Sequence, residues 1–128
     1  MQGTRLLFKT APGAIVIPAG TALDLTARFP RGVCVSAYPS IRMASASRST
    51  SAVPVTLRLM VMDGEEGLAC LDQFTLLPGG SCSLAYDVPG VGLKVYAEAV
   101  AGTGNAYVDF LLYGYAPYLS TRNTICSI

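Results

Sequence analysis

The sequence predicts an all-β fold, an antiparallel β-sandwich of about eight strands, and three observations lead there. Apolar residues recur with a period of two, turn signals break the chain about every 8–12 residues, and thirteen glycines and eight prolines leave no uninterrupted amphipathic helix.

The alternation is clearest in three runs. Leu23, Leu25, Ala27 and Phe29 alternate with Asp24, Thr26 and Arg28; Val55, Leu57, Leu59 and Val61 alternate with Thr56, Arg58, Met60 and Met62. Leu93, Val95, Ala97 and Ala99 alternate with Lys94, Tyr96, Glu98 and Val100. Successive side chains of an extended chain point to opposite sides, so each run offers one face to a core and the other to solvent or a neighbour. Strands are expected near 5–10, 14–17, 21–29, 33–44, 54–62, 67–76, 82–87 with 93–100, and 106–115. Between them lie turn sequences such as Ala11-Pro12-Gly13, Pro18-Ala19-Gly20, Pro30-Arg31-Gly32, Pro78-Gly79-Gly80 and Gly102-Thr103-Gly104-Asn105. Pro54 opens its strand, where a missing N–H is tolerated. The stretch Ser45 to Ala52 is small and polar and is expected as a mobile loop. No repeat or composition shift marks a boundary, so residues 1–128 form one sandwich domain, with residues 1–17 available as an extended arm.

Composition points to contacts with other chains. Hydrophobic residues make up 52% of the 128 positions, charged residues only 13%, and the mean hydropathy is +0.47. A membrane helix needs about 20 mostly apolar residues, and Pro12, Pro18, Pro78, Gly79 and Gly80 break the longest charge-free runs. The start, Gln2-Gly3-Thr4-Arg5 followed by an apolar stretch cut by Lys9 and Pro12, does not read as a secretion signal, so a soluble protein assembled in the cytoplasm is expected. Cys34, Cys70, Cys82 and Cys126 have no Cys-x-x-Cys spacing; three disulfide pairings are conceivable, and reduced thiols are the expectation.

Net charge is +1 but unevenly spread. Residues 1–62 carry seven basic groups against one acid, Asp24, and residues 63–128 carry two basic groups against seven acids. Such halves can pair within one sandwich or head-to-tail between copies. The arginines, balanced by acids, form no basic face for nucleic acid.

The sequence contains no histidine, which removes Ser-His and Cys-His couples and histidine-ligated zinc. No glycine-rich phosphate cradle occurs. No enzyme activity, cofactor or metal is therefore expected. Two acidic groupings are the nearest approach to chemistry. Asp63, Glu65 and Glu66 read as a polar hairpin turn rather than a cation loop. Glu98 and Asp109 would make a glycosidase pair only if they faced one cleft, and an outward, structural placement is expected instead.

Tyr96, Tyr107, Tyr113, Tyr115 and Tyr118 crowd the last third of the chain. Tyrosines give large contact area with a polar tip, so they are the candidate interface, together with Arg42 and Arg48, which would meet acidic side chains of a partner. The alternative is a carbohydrate-binding module, which the lack of tryptophan disfavours.

The stretches Phe74 to Ser81, Tyr86 to Gly90, Val95 to Ala99, Gly102 to Phe110 and Tyr113-Gly114-Tyr115 together resemble the closing strands of small jelly-roll-like structural proteins of tailed-phage virions, the decoration or cement proteins and the neck or tail accessory subunits. The resemblance covers about a third of the chain. It implies a self-associating, non-enzymatic virion protein, often a trimer, bound to capsid or tail proteins and assembled in the host cytoplasm. It carries over no catalytic residue.

Overall fold

A computed structural model describes residues 3–62, 68–87 and 91–116, and within them the chain is all β. The ten strands are β1 (Gly3–Lys9), β2 (Ile15–Pro18), β3 (Ala22–Asp24), β4 (Val33–Cys34), β5 (Ser40–Ser47), β6 (Val55–Met62), β7 (Leu68–Leu76), β8 (Ser81–Asp87), β9 (Gly92–Ala99) and β10 (Asn105–Ala116). No helix among them is long and apolar enough to cross a membrane.

Two antiparallel sheets pack face to face. In sheet A the order is β1-β10-β5-β8, with β2 continuing the row of β1 along β10; in sheet B it is β3-β9-β6-β7, with β4 continuing the row of β3 along β9. Ten strands thus occupy eight rows, and the chain crosses between sheets as it proceeds, the arrangement of a jelly roll. Ten strands stand where about eight are expected because 33–44 divides into β4 and β5, and because 82–87 and 93–100, expected together, are β8 and β9 of opposite sheets. Between β1 and β2 the N–H of Ala14 closes a turn on the Ala11 carbonyl and Gly13 takes a φ of 70°. Beyond β3, Asp24 Oδ1 accepts from the Thr26 N–H and hydroxyl, turning the chain where the alternation predicts a strand to residue 29. The expected strand 33–44 divides at a turn in which the Tyr38 N–H reaches the Val35 carbonyl, and there the chain leaves sheet B for sheet A.

The core follows the alternation. Val55, Leu57 and Leu59 from β6, Val95, Ala97 and Ala99 from β9, and Ala106, Val108, Phe110 and Leu112 from β10 are all buried, with Ile41 and Met43 of β5 opposite. Burying each Leu- or Val-sized chain contributes about 1.5–3 kcal/mol. Leu25 joins this core, whereas Leu23 is exposed, because β3 is short and lies at the sheet edge. Gly114 interrupts the apolar parity of β10 for a steric reason: a Cβ there would lie 2.6 Å from ring carbons of Tyr38.

Three expectations need correction or refinement. The stretch from Ser45 to Ala52 is not a free loop: Ser45 to Ser47 end β5, and Arg48 and Ala52 donate their N–H groups to the Tyr107 and Asn105 carbonyls. Ser51 is buried and bonds both Ser47 and the backbone of Tyr107, so its small polar side chain finishes a turn instead of staying solvated. Cys34 is disulfide-bonded, with its other half outside the described residues, while Cys70 and Cys82 are free thiols. The segment read as a potential arm, where described, supplies β1 and β2 to sheet A, both paired with β10 of the same chain.

Candidate interaction surface

The two outward faces of the sandwich differ in chemistry. On sheet B one end of the outward face is polar and bonded together, and Met60, Met62 and Cys70 continue it at the other. Thr56 and Thr75 share a hydrogen bond of 2.9 Å, and Arg58 donates to Gln73 at 2.9 Å and lies 3.6 Å from Glu98. Lys94, almost fully buried, reaches Asp24 at 2.7 Å. Burial alone pushes the Asp24 carboxyl up. Hydrogen bonds from Lys94 and Thr26, with the charge of Lys94, outweigh burial and hold it below the ordinary carboxylate range.

Sheet A presents a different outward face, which the register defines rung by rung. One rung runs Leu6, Tyr113, Arg42, Ala85; the next runs Lys9, Leu111, Ala44, Ser83; a third runs Thr4, Tyr115, Ser40, Asp87. Across all three, the β1 and β10 side is tall and largely apolar, while the β5 and β8 side is mostly small. Leu6 is 43% exposed, Val16 on β2 43% and Tyr115 36%. Two shallow depressions lie on the small-residue side, one over Ala44, Ala46, Ser81 and Ser83, the other bounded by Thr4, Ser40, Arg42, Ala85, Tyr113 and Tyr115. Arg42 donates to the Ser83 hydroxyl at 3.2 Å.

The edges of the sheets also differ. β1 carries Arg5 and Lys9 and a bulge between Leu6 and Phe8, features that discourage strand addition. β8 pairs on one side only, keeps a regular seven-residue register with β5, and contains no lysine, arginine, proline or bulge.

The predicted interface residues separate accordingly. Tyr107, Tyr113, Tyr115 and Arg42 come together on the outward face of sheet A. Tyr96 stands on the opposite side of the molecule, across from Asp24 and Arg58 on sheet B. Arg48 follows β5 and is committed to its own chain: its Nε donates to Asp109 at 3.0 Å, whose other oxygen accepts from the Gly13 N–H at 2.9 Å. Tyr118 lies outside the described residues, as do Asp63, Glu65 and Glu66. Leu6, Val16, Leu111 and Ala44 belong to the face although the sequence does not single them out. Their signal is the apolar or small character of outward positions on β10 and β5, where a solvated strand would carry charge.

Glu98 and Asp109 do not converge. Glu98 faces outward on β9 of sheet B and Asp109 outward on β10 of sheet A, so the thickness of the sandwich separates them. Among the described residues no group of three or more acid or cysteine side chains is placed to hold a metal ion. The charge split is used within the chain at Arg48–Asp109 and Arg58–Glu98, each joining a first-half base to a second-half acid.

No protein-family model matches the chain. No curated protein matches it either. Among solved structures it is similar to a chain from Bacillus endospore appendages, described as a novel family of disulfide-linked pili, with a TM-score of 0.51 and 13% identity over 92% of this chain and 88% of that one. At that identity the likeness is one of fold: a small all-β sandwich of two antiparallel sheets.

Proposed function

We propose that this protein is a non-enzymatic structural subunit that associates with copies of itself to build or decorate a larger particle or filament. One observation carries the reading: the β1–β10 side of the outward face of sheet A brings Leu6, Leu111, Tyr113 and Tyr115 together, with Leu6 and Tyr115 well exposed, whereas on sheet B Thr56, Thr75, Arg58, Gln73 and Glu98 bond to one another. Contiguous apolar surface on one side of a small sandwich is stabilised by burial against another protein. The open edge of β8 supports the same reading, since unpaired strand edges add strands.

The finer assignment is a virion component, a capsid decoration protein or a head–tail accessory subunit bound to capsid or tail proteins, in line with the resemblance of the closing strands. The fold likeness to a pilus-forming chain favours the broader class of self-assembling β subunits, of which a filament is the other member. The Cys34 disulfide suits a particle that meets an oxidising medium.

Light scattering coupled to size exclusion tests this reading. The expected mass exceeds the 13.4 kDa of one chain, and Tyr115→Arg or Leu6→Arg returns the protein to that value. A monomer at high concentration under every salt condition overturns it. A second reading, a carbohydrate-binding module, is favoured by the depression that sets Tyr113 and Tyr115 beside Thr4, Ser40 and Arg42. It predicts glycan-array binding that Tyr113→Ala abolishes while the oligomeric state stays unchanged.

A further inference from the structure

We propose that the outward face of sheet A packs on the same face of a second copy about a two-fold axis running along the strands, between β5 and β10 and midway between the two stacked sheets. The inference rests on the reading of the chain as a self-associating subunit and names the surface and symmetry of its first contact. An axis in that position sends the β1–β10 half of one copy over the β5–β8 half of the other while keeping each rung level with itself.

The chemistry of the rungs then matches by size and by charge. Leu6 of each copy lies over Ala85 of the other, and Leu111 lies over Ala44, so each tall apolar chain meets a methyl-sized one. Tyr113 comes level with Arg42, whose guanidinium has no carboxylate partner among the described residues and can lie on the ring face. Tyr115 meets Ser40, and Lys9 meets the Ser83 hydroxyl. Asp87 meets the Thr4 hydroxyl. An axis running across the strands would instead set tall residues on tall ones and leave the depressions empty. Ridge over trough is also the geometry in which face-to-face sheets reach their ordinary spacing of about 10 Å.

The area is modest. Four strands about 4.8 Å apart and seven residues long cover about 450 Å² per copy, or about 900 Å² in total, the size of a weak contact that repetition in an assembly reinforces. The two-fold contact is isologous and closes on itself, leaving the edge of β8 free for further growth.

The test exchanges size across the interface. Ala44→Leu should put leucine on leucine twice per dimer, and Leu111→Ala should leave two hollows, so each variant alone should dimerise about tenfold or more weakly than the unaltered chain. Mixed, they form a heterodimer in which every contact is complementary. The leucine introduced in one chain meets the alanine introduced in the other, and across the axis the retained Leu111 meets the retained Ala44. Native mass spectrometry with one variant isotopically labelled should therefore show heterodimer well above the statistical share. Ala85→Leu mixed with Leu6→Ala is the second pair, read the same way should Ala44→Leu fail to fold by circular dichroism. Ala44→Leu that dimerises as tightly as the unaltered chain, or mixtures with no excess of heterodimer, would overturn the two-fold packing while leaving self-assembly standing. A chain that is monomeric without any substitution overturns both.

Discussion

Tyr86 on β8 donates its hydroxyl to Asp72 on β7 at 2.7 Å, so the last strand of one sheet is tied to the last strand of the other. Burial raises the Tyr86 phenol above its ordinary value of 10.0, and the hydrogen bond to the Asp72 carboxylate and its charge raise it further. Below that ordinary value the contribution to stability is fully present, and it is lost only as pH rises through the higher folded-state value. Tyr86→Phe should lower unfolding stability in urea by about 1–2 kcal/mol, the range for a bond to a charged acceptor that is partly solvated. The loss should be absent when Asp72 has already been changed to alanine.

The Asp24–Lys94 pair makes the opposite prediction on the acid side. The folded chain holds Asp24 below the ordinary carboxylate value of 3.8, so its contribution is present above that value and fades as pH falls through the folded one. Asp24→Asn leaves the lysine charge in a nearly closed site, and a stability loss of about 2–3 kcal/mol is expected at neutral pH, reduced by the remaining exposure of the carboxylate. The gap between the denaturation curves of the two proteins should hold at neutral pH and narrow as pH falls below 3.8.

Ser45 holds a buried hydroxyl with no hydrogen-bond partner, the single such side-chain atom among the described residues. Removing it leaves nothing unpaired behind. Ser45→Ala should raise stability by about 0.5–1 kcal/mol in chemical denaturation.

Gly114 and Tyr38 are coupled by contact. Gly114→Ala pushes the ring aside and should cost about 1–3 kcal/mol. In a Tyr38→Ala background the same change should cost little, which a double-mutant cycle measures directly.

The thiols should separate by exposure. Cys70 is exposed and should react with a thiol reagent at once, Cys82 is half-buried and should react more slowly, and Cys34 should react only after reduction. Mass spectrometry after timed alkylation reads all three.

Much of the fold is legible in the sequence because a β-strand reports its two faces in its own residues. The runs Val55 to Val61 and Leu93 to Ala99 alternate without error, and β6 and β9 lie where that alternation sets them. The early end of β3 at Asp24 and the division of 33–44 into β4 and β5 are less visible. They depend on individual contacts, such as Asp24 accepting from Thr26, which compete with the ladder only once β9 is alongside. The order of Ser45 to Ala52 is hidden for the same reason, because Tyr107 and Asn105, which accept its N–H groups, are more than fifty residues away.

For the candidate surface, composition by itself determined that apolar area must be covered by something, and the strand period determined which residues share a face within each strand. Only the tertiary structure decided which strands lie side by side, and hence that Tyr113 and Tyr115 stand beside Arg42 and Leu6 while Tyr96 looks the other way. A period of two is local and written in the chain; the pairing of β10 with β1 and β5 joins residues far apart in sequence, and long-range packing of the whole core selects it.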